Sequence, residues 1–202
     1  MATRPASPAR MTAEERREQL LDATKAIADR SGFHAVSIEA VAREAGITRP
    51  VVYGHFHDLQ GLLEALVERE SARALSQLAE VLPRDLGGHD ALEPLLAGLR
   101  GYLLAVQSDP ITWRLVLMPP EGAPAVLRDR IAEGRAAVVA QLAEAVRPGL
   151  GAAGQSPDPE LTAMMMSALS DEAARLLLTR PNDFPLERIV AHARWLLAPL
   201  VS

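Results

Sequence analysis

The stretch SIEAVAREAGITRPVVYGHF, residues 37–56, decides how this chain folds. Ser37 is a good helix cap, because its hydroxyl accepts from an otherwise unpartnered first-turn amide. Ile38, Val41, Ala42 and Ala45 then recur at the three- and four-residue spacing that lines one helical face. Gly46 stops that helix, since glycine enters the left-handed region without a Cβ clash. Thr48 caps a second short helix, in which Pro50 is tolerated because first-turn residues need no N–H partner. Two short helices across a tight turn predict a helix-turn-helix. Ile38, Val41, Ala45, Ile47 and Val52 are spaced to form the small core that fixes its angle. In such a motif the first helix crosses a phosphate backbone and holds the second in the major groove.

Outward from this stretch the punctuation stays helical. Thr12-Ala13-Glu14-Glu15 reads as a capping box, followed by Leu20, Ala23, Thr24, Ile27 and Ala28 on one face and a stop at Gly32. Asp58 caps a long helix carrying Leu59, Leu62, Leu63, Leu66, Glu70, Ala74, Leu78 and Val81 at the 3.6-residue period. A Gly87-Gly88 link leads to a helix from about Asp90. Asp109-Pro110 pairs a cap with proline at the first helical position and opens a short apolar helix to Met118. Further helices are predicted over 123–146, 158–179 and 185–199, with a loop from Pro148 to Pro157. The expected class is all-α, with about nine helices and no strand.

Composition narrows the field without naming a partner. Of 202 residues 49% are hydrophobic and 23% charged, the balance of a globular chain. With no cysteine, disulfides, thiolate catalysis and cysteine zinc sites drop out, and a reducing cytoplasmic setting fits. The first residues read as a disordered arm rather than a signal peptide. No window approaches the ~18 apolar residues that a membrane-spanning helix requires. Net charge is −5, yet residues 1–57 hold eight Lys/Arg against seven Asp/Glu, so the acidity sits in the remainder. Phosphate binding needs only a local basic face.

The run from Ile38 to Phe56, with its glycine, its tyrosine and its His-Phe ending at fixed spacing, resembles the DNA-binding signature of the TetR family of regulators. The resemblance covers about residues 12–66; the later helices agree with the family in number and order but carry no diagnostic motif. It implies a disordered arm (1–11), a helix-turn-helix domain (12–57) and a helical ligand-binding and dimerisation domain (58–202). It further implies a homodimer through the last two helices, a cavity among the fourth to seventh helices, and release of operator DNA when a ligand changes the spacing of the heads. By position, Ser37, Thr48, Tyr53 and His55 match residues that hydrogen-bond phosphates, which sets register rather than sequence. Arg49 is the candidate for bidentate contact to guanine, and Val51 for packing on a thymine methyl. Two departures stand out. Pro50 replaces the usual glycine and has no N–H to offer DNA, and Leu59 replaces the usual lysine before the fourth helix. Each lost phosphate contact flattens the salt dependence of binding by about one unit. They keep open a second reading, a helical small-molecule-binding protein that has lost DNA affinity.

In the body, Tyr102, Trp113, Leu117, Met118 and Met164-Met165-Met166 are apolar on more than one helical face. Core packing and a dimer face explain any one of them; methionine also adapts to irregular ligands. Tyr102, Trp113, Leu117, Met118 and Met165 are therefore candidate ligand contacts, and the scarcity of charge favours a lipophilic effector. Arg114 and Asp171 are the exceptions that could meet a polar group. Gly149 to Gly154 satisfies the dinucleotide fingerprint in letters only, since a Rossmann site needs a strand before its first glycine. His55 and His57 lack convergent carboxylates, so no metal and no cofactor is expected. No catalytic motif is present, which argues against an enzyme. Whether such a regulator represses or activates is not encoded in these residues.

Overall fold

The computed structural model describes residues 11–86, 91–119, 123–150 and 158–200. Among them lie nine α-helices and no strand: α1 (Ala13–Ser31), α2 (Ile38–Glu44), α3 (Arg49–His55), α4 (Leu59–Val81), α5 (Leu92–Ser108), α6 (Pro110–Leu117), α7 (Ala125–Leu150), α8 (Pro159–Thr179) and α9 (Leu186–Leu197). Short 3-10 turns at Phe33–Ala35 and Ala198–Leu200 complete the elements. The first of these has no precursor in the apolar periodicity. The arm before Met11, the Gly87-Gly88 link and most of the Gly149 to Gly154 run lie outside the described residues.

Caps account for most helix starts. Thr12 and Glu15 exchange backbone-to-side-chain bonds across the first turn of α1. Asp58, Asp109 and Asp158 each accept from first-turn amides of α4, α6 and α8, satisfying donors that a helix leaves orphaned. α2 spans seven residues and ends at Glu44, because Ala45 and Gly46 form the closing turn. There Gly46 takes φ +66°, and the Ile47 amide donates to the Ala42 carbonyl at 2.9 Å. Thr48 starts α3 without a side-chain bond; its carbonyl accepts from the Val51 amide at 3.0 Å instead. α7 departs from expectation by running through Pro148 to Leu150. A proline in a last turn disturbs a single backbone hydrogen bond, too little to end a helix already packed along α8.

Two apolar cores share α4. The first gathers Leu20, Ile27, Val41, Val52 and Phe56 from α1 to α3 with Leu62, Leu66 and Val67 of early α4. The second gathers Tyr102, Leu103, Val106, Trp113, Leu117 and Leu177 around Ala74 of later α4. Burying each large side chain contributes about 1.5–3 kcal/mol, so α4 is held firmly at both ends. Gly101 lets α5 close on α4: a Cβ there would lie 2.7 Å from Val81 Cγ1.

Candidate functional site

α2 and α3 form the helix-turn-helix that the sequence predicts. Val52 is fully buried and turns α3 onto α1 and α2, which leaves the opposite side of α3 facing out. Thr48, Arg49, Pro50, Val51 and Tyr53 are all exposed on it, Tyr53 by 55%. Ser37 is exposed at the start of α2, although its hydroxyl also accepts from the Ala40 amide at 3.1 Å. His55 is half-buried, and its carbonyl accepts from Arg17 Nη1 at 3.5 Å. Arg17 lies over the Phe56 ring, 4.5 Å from its centroid. Phe56 is thus a core residue that pins the end of α3 to α1. Leu59 packs against the same core.

Behind the head lies a cavity of about 900 Å3, walled mainly by apolar side chains of α4 to α9. Tyr102, Trp113 and Leu117 line it, as does Asp171. Met118 packs against the neighbouring core cluster and does not line it. Met165 is 59% exposed and points away; Met166, one residue on, is the methionine in the wall. A one-residue step turns a helical side chain by about 100°, so a run of three methionines cannot show which one faces inward. Arg114 also lies elsewhere, 3.4 Å from Asp29 of α1. Tyr102 and Trp113 meet edge to face at 5.1 Å, and Trp113 Nε1 donates to Gln77 Oε1 at 2.9 Å.

Between head and cavity stands a polar junction that joins residues far apart in the sequence. Lys25 is the chain's only lysine, and it is buried. Its Nζ lies 2.8 Å from Glu70 Oε2 and 2.9 Å from Asp109 Oδ1, and it donates to the Thr112 hydroxyl. That hydroxyl has both Glu70 and Asp109 within reach and donates to one at a time. Arg69 adds Glu18 at 2.8 Å and Asp22 at 2.9 Å. Burial opposes the ionisation of Glu70, but hydrogen bonds from Lys25 and Thr112, with the charges of Lys25 and Arg69, outweigh it and hold the carboxyl below its usual range. Asp109 is likewise held down: burial opposes its charge, and Lys25 and Thr112 prevail. The available sequence signal was the Leu21, Lys25, Ala28 spacing, which places the lysine on an inward face.

α6 is the wall common to both regions. Asp109 and Thr112 at its start hold Lys25 of α1, while Trp113, Val116 and Leu117 face the cavity. At its end the Leu117 carbonyl accepts from Arg175 Nε of α8 at 3.2 Å. Leu161, Met164, Met165 and Leu169 of α8 and Trp195 and Leu196 of α9 are exposed, Trp195 by 71%; Leu169, Trp195 and Leu196 also border the cavity. Among the described residues no helix is long and apolar enough to cross a membrane, and no group of three or more His, Cys, Asp or Glu is placed to hold a metal.

Comparison with known proteins agrees with this geometry. A sequence model described as bacterial regulatory proteins, tetR family, matches residues 20–66. The HTH-type transcriptional repressor KstR of Rhodococcus jostii is 33% identical over 98 residues, 48% of this chain and 44% of the relative. The chain spans less than half the length of the curated relatives it matches. A TetR-like transcriptional regulator from Rhodococcus sp. RHA1 superposes with a TM-score of 0.73 at 21% identity, covering 95% of this chain and 98% of that one. A SmeT–triclosan complex superposes with a TM-score of 0.69 at 25% identity, covering 91% and 90%.

Proposed function

We propose, from the match of residues 20–66 to the tetR family of bacterial regulatory proteins, that the chain is a homodimeric DNA-binding transcription regulator, released from a palindromic operator by a small lipophilic effector. The observation that carries the reading is the placing of α6, with the junction to α1 at its start and the cavity along one side. In this division residues 12–57 read DNA and residues 58–202 bind effector and partner, in a protein that works in the cytoplasm. Arg49 meets a base edge, Val51 packs on a methyl group, and Ser37, Thr48, Tyr53 and His55 set register on phosphates. The exposed apolar faces of α8 and α9 pair with those of a second copy. That pairing sets the two α3 helices about 34–36 Å apart, one turn of DNA.

Effector binding works through α6. A molecule filling the cavity presses on Trp113 and Leu117, and Thr112 and Asp109 carry the shift to Lys25 and so to the head. A coupling of about 1–3 kcal/mol is enough to change operator occupancy substantially. That the SmeT neighbour is in complex with triclosan supports a small-molecule cavity in this fold. Repression fits the naming of KstR.

A gel shift on the DNA upstream of the gene tests the reading. Arg49→Ala should weaken binding by about 10- to 100-fold, the value of a bidentate base contact, and Tyr53→Ala should weaken it without changing sequence preference. Pro50 and Leu59 favour the second reading, a ligand-binding protein without DNA affinity. Wild-type protein that shifts no fragment would support that reading instead.

A further inference from the structure

One corner of the cavity brings a carboxylate, a guanidinium and a phenol together. Asp171 of α8 is only 14% exposed at its side chain, and its Oδ2 lies 2.6 Å from Arg135 of α7. Its Oδ1 accepts the Tyr102 hydroxyl at 3.3 Å, and Tyr102 is buried. Burial, then the neighbouring Asp171 charge, push the Tyr102 phenol far above its usual range, so it stays protonated and its proton goes to Asp171. Arg135 is itself 44% exposed at its side chain, so the corner opens toward the rim, where the other charged residues of the wall have their own partners. Arg130 pairs with Glu133, Glu172 with Arg175, and Arg188 with the Asp183 carbonyl and the Phe184 ring.

The corner is balanced in charge but not exhausted in hydrogen bonding. A carboxylate offers about four lone-pair sites, a guanidinium five N–H donors, and the phenol oxygen retains lone pairs. A group that both donates and accepts can therefore give its proton to Asp171 or Tyr102 and receive one from Arg135. An anionic head gains from Arg135 what it loses beside Asp171, and a cationic head the reverse. Either ion also gives up its hydration on entry, a cost that a neutral head does not meet.

We propose that the effector is a neutral, hydroxyl-bearing amphiphile whose apolar body fills the cavity and whose hydroxyl is read by Asp171, Arg135 and Tyr102. This rests on the proposed effector site and adds the head group. The ring of Tyr102, set against Trp113, places the head within one side chain of α6.

Three probes of equal chain length test it: 1-dodecanol, dodecanoate and dodecylammonium, each below its aggregation threshold. Trp113 and Trp195 both line the cavity, so intrinsic fluorescence reports occupancy. Dodecanol is expected to bind about tenfold or more tightly than either ion, the scale of one unmet polar group. In Asp171→Asn the uncompensated Arg135 should bring dodecanoate above the alcohol; in Arg135→Gln dodecylammonium should rise in its place. A wild-type order in which an ion equals or exceeds the alcohol overturns the head-group assignment and leaves the cavity as the effector site. Folded variants with the wild-type order overturn it as well. Failure of all three probes to bind overturns the effector site itself. If either variant does not fold, the wild-type order decides alone.

Discussion

The head and the body are built on opposite terms. Around Val41, Val52 and Phe56 the head is packed solid, and each of those side chains is at most 4% exposed. The body, of similar helical content, leaves about 900 Å3 unfilled between α4 and α9. Interiors normally close to crystal-like density, so a void of that size forfeits packing that an ordinary core would keep. A rigid head suits presentation of α3 in fixed register; an open body leaves room for a ligand. The two meet along early α4, where Leu62, Leu66 and Val67 join the head's apolar core, and at Lys25, where buried charge adds a second joint.

The largest expected effect lies at that joint. Lys25→Met removes the buried cation that Glu70 and Asp109 share, leaving Glu70 to Arg69 and Asp109 to Arg73 at 3.6 Å, and should cost up to about 3–5 kcal/mol, the usual penalty for breaking a buried ion pair. Chemical denaturation measures it. Adding Glu70→Gln should recover part of the loss, whereas a loss that is strictly additive would mean the pair does not couple head to body. On α9, where Trp195 is exposed at the cavity's border, Trp195→Ala should weaken self-association by at least about 2 kcal/mol, as loss of a central aromatic anchor does. Sedimentation equilibrium reads this, and an unchanged dimer would place the interface elsewhere.

Acid should separate the two regions next. Glu70 and Asp109 have folded values below their ordinary 4.5 and 3.8. Their stabilisation is complete above those values and is lost as pH falls through the lowered ones. Wild type should therefore lose melting temperature more steeply below about pH 4.5 than Glu70→Gln does. Equal slopes would show that Glu70 carries none of the acid sensitivity. The smallest effect belongs to the head. Leu59→Lys places a cation at the start of α4 and should steepen the salt dependence of operator binding by about one unit, with a small fall in the denaturation midpoint because Leu59 packs against the head's core.

This contrast also explains what could be read from the chain alone. The head's elements are specified by neighbours: Ser37 caps three residues ahead, Gly46 turns in place, and Val52 opposes Val41 across a short loop. Local spacing carries all of that. The joint and the cavity depend on distance along the chain. Lys25 meets Asp109 across 84 residues, and nothing local to either announces the other. Tyr102, Trp113 and Leu117 were legible as cavity candidates because large apolar groups clustered on adjoining helices. Met165 was not separable from Met166, because the choice between them depends on how α8 is rotated against its neighbours. Arg135, which pairs with Asp171, looked like one of many surface arginines on α7.

The central claim is that two copies of α3 read one duplex together. Selection from a random oligonucleotide pool, with wild-type protein at moderate salt, tests it most directly. The expected result is an enriched two-fold symmetric site with half-sites one turn apart, lost in Arg49→Ala at the base that Arg49 contacts. Recovery of unenriched sequence, or of single half-sites at random spacing, would contradict it.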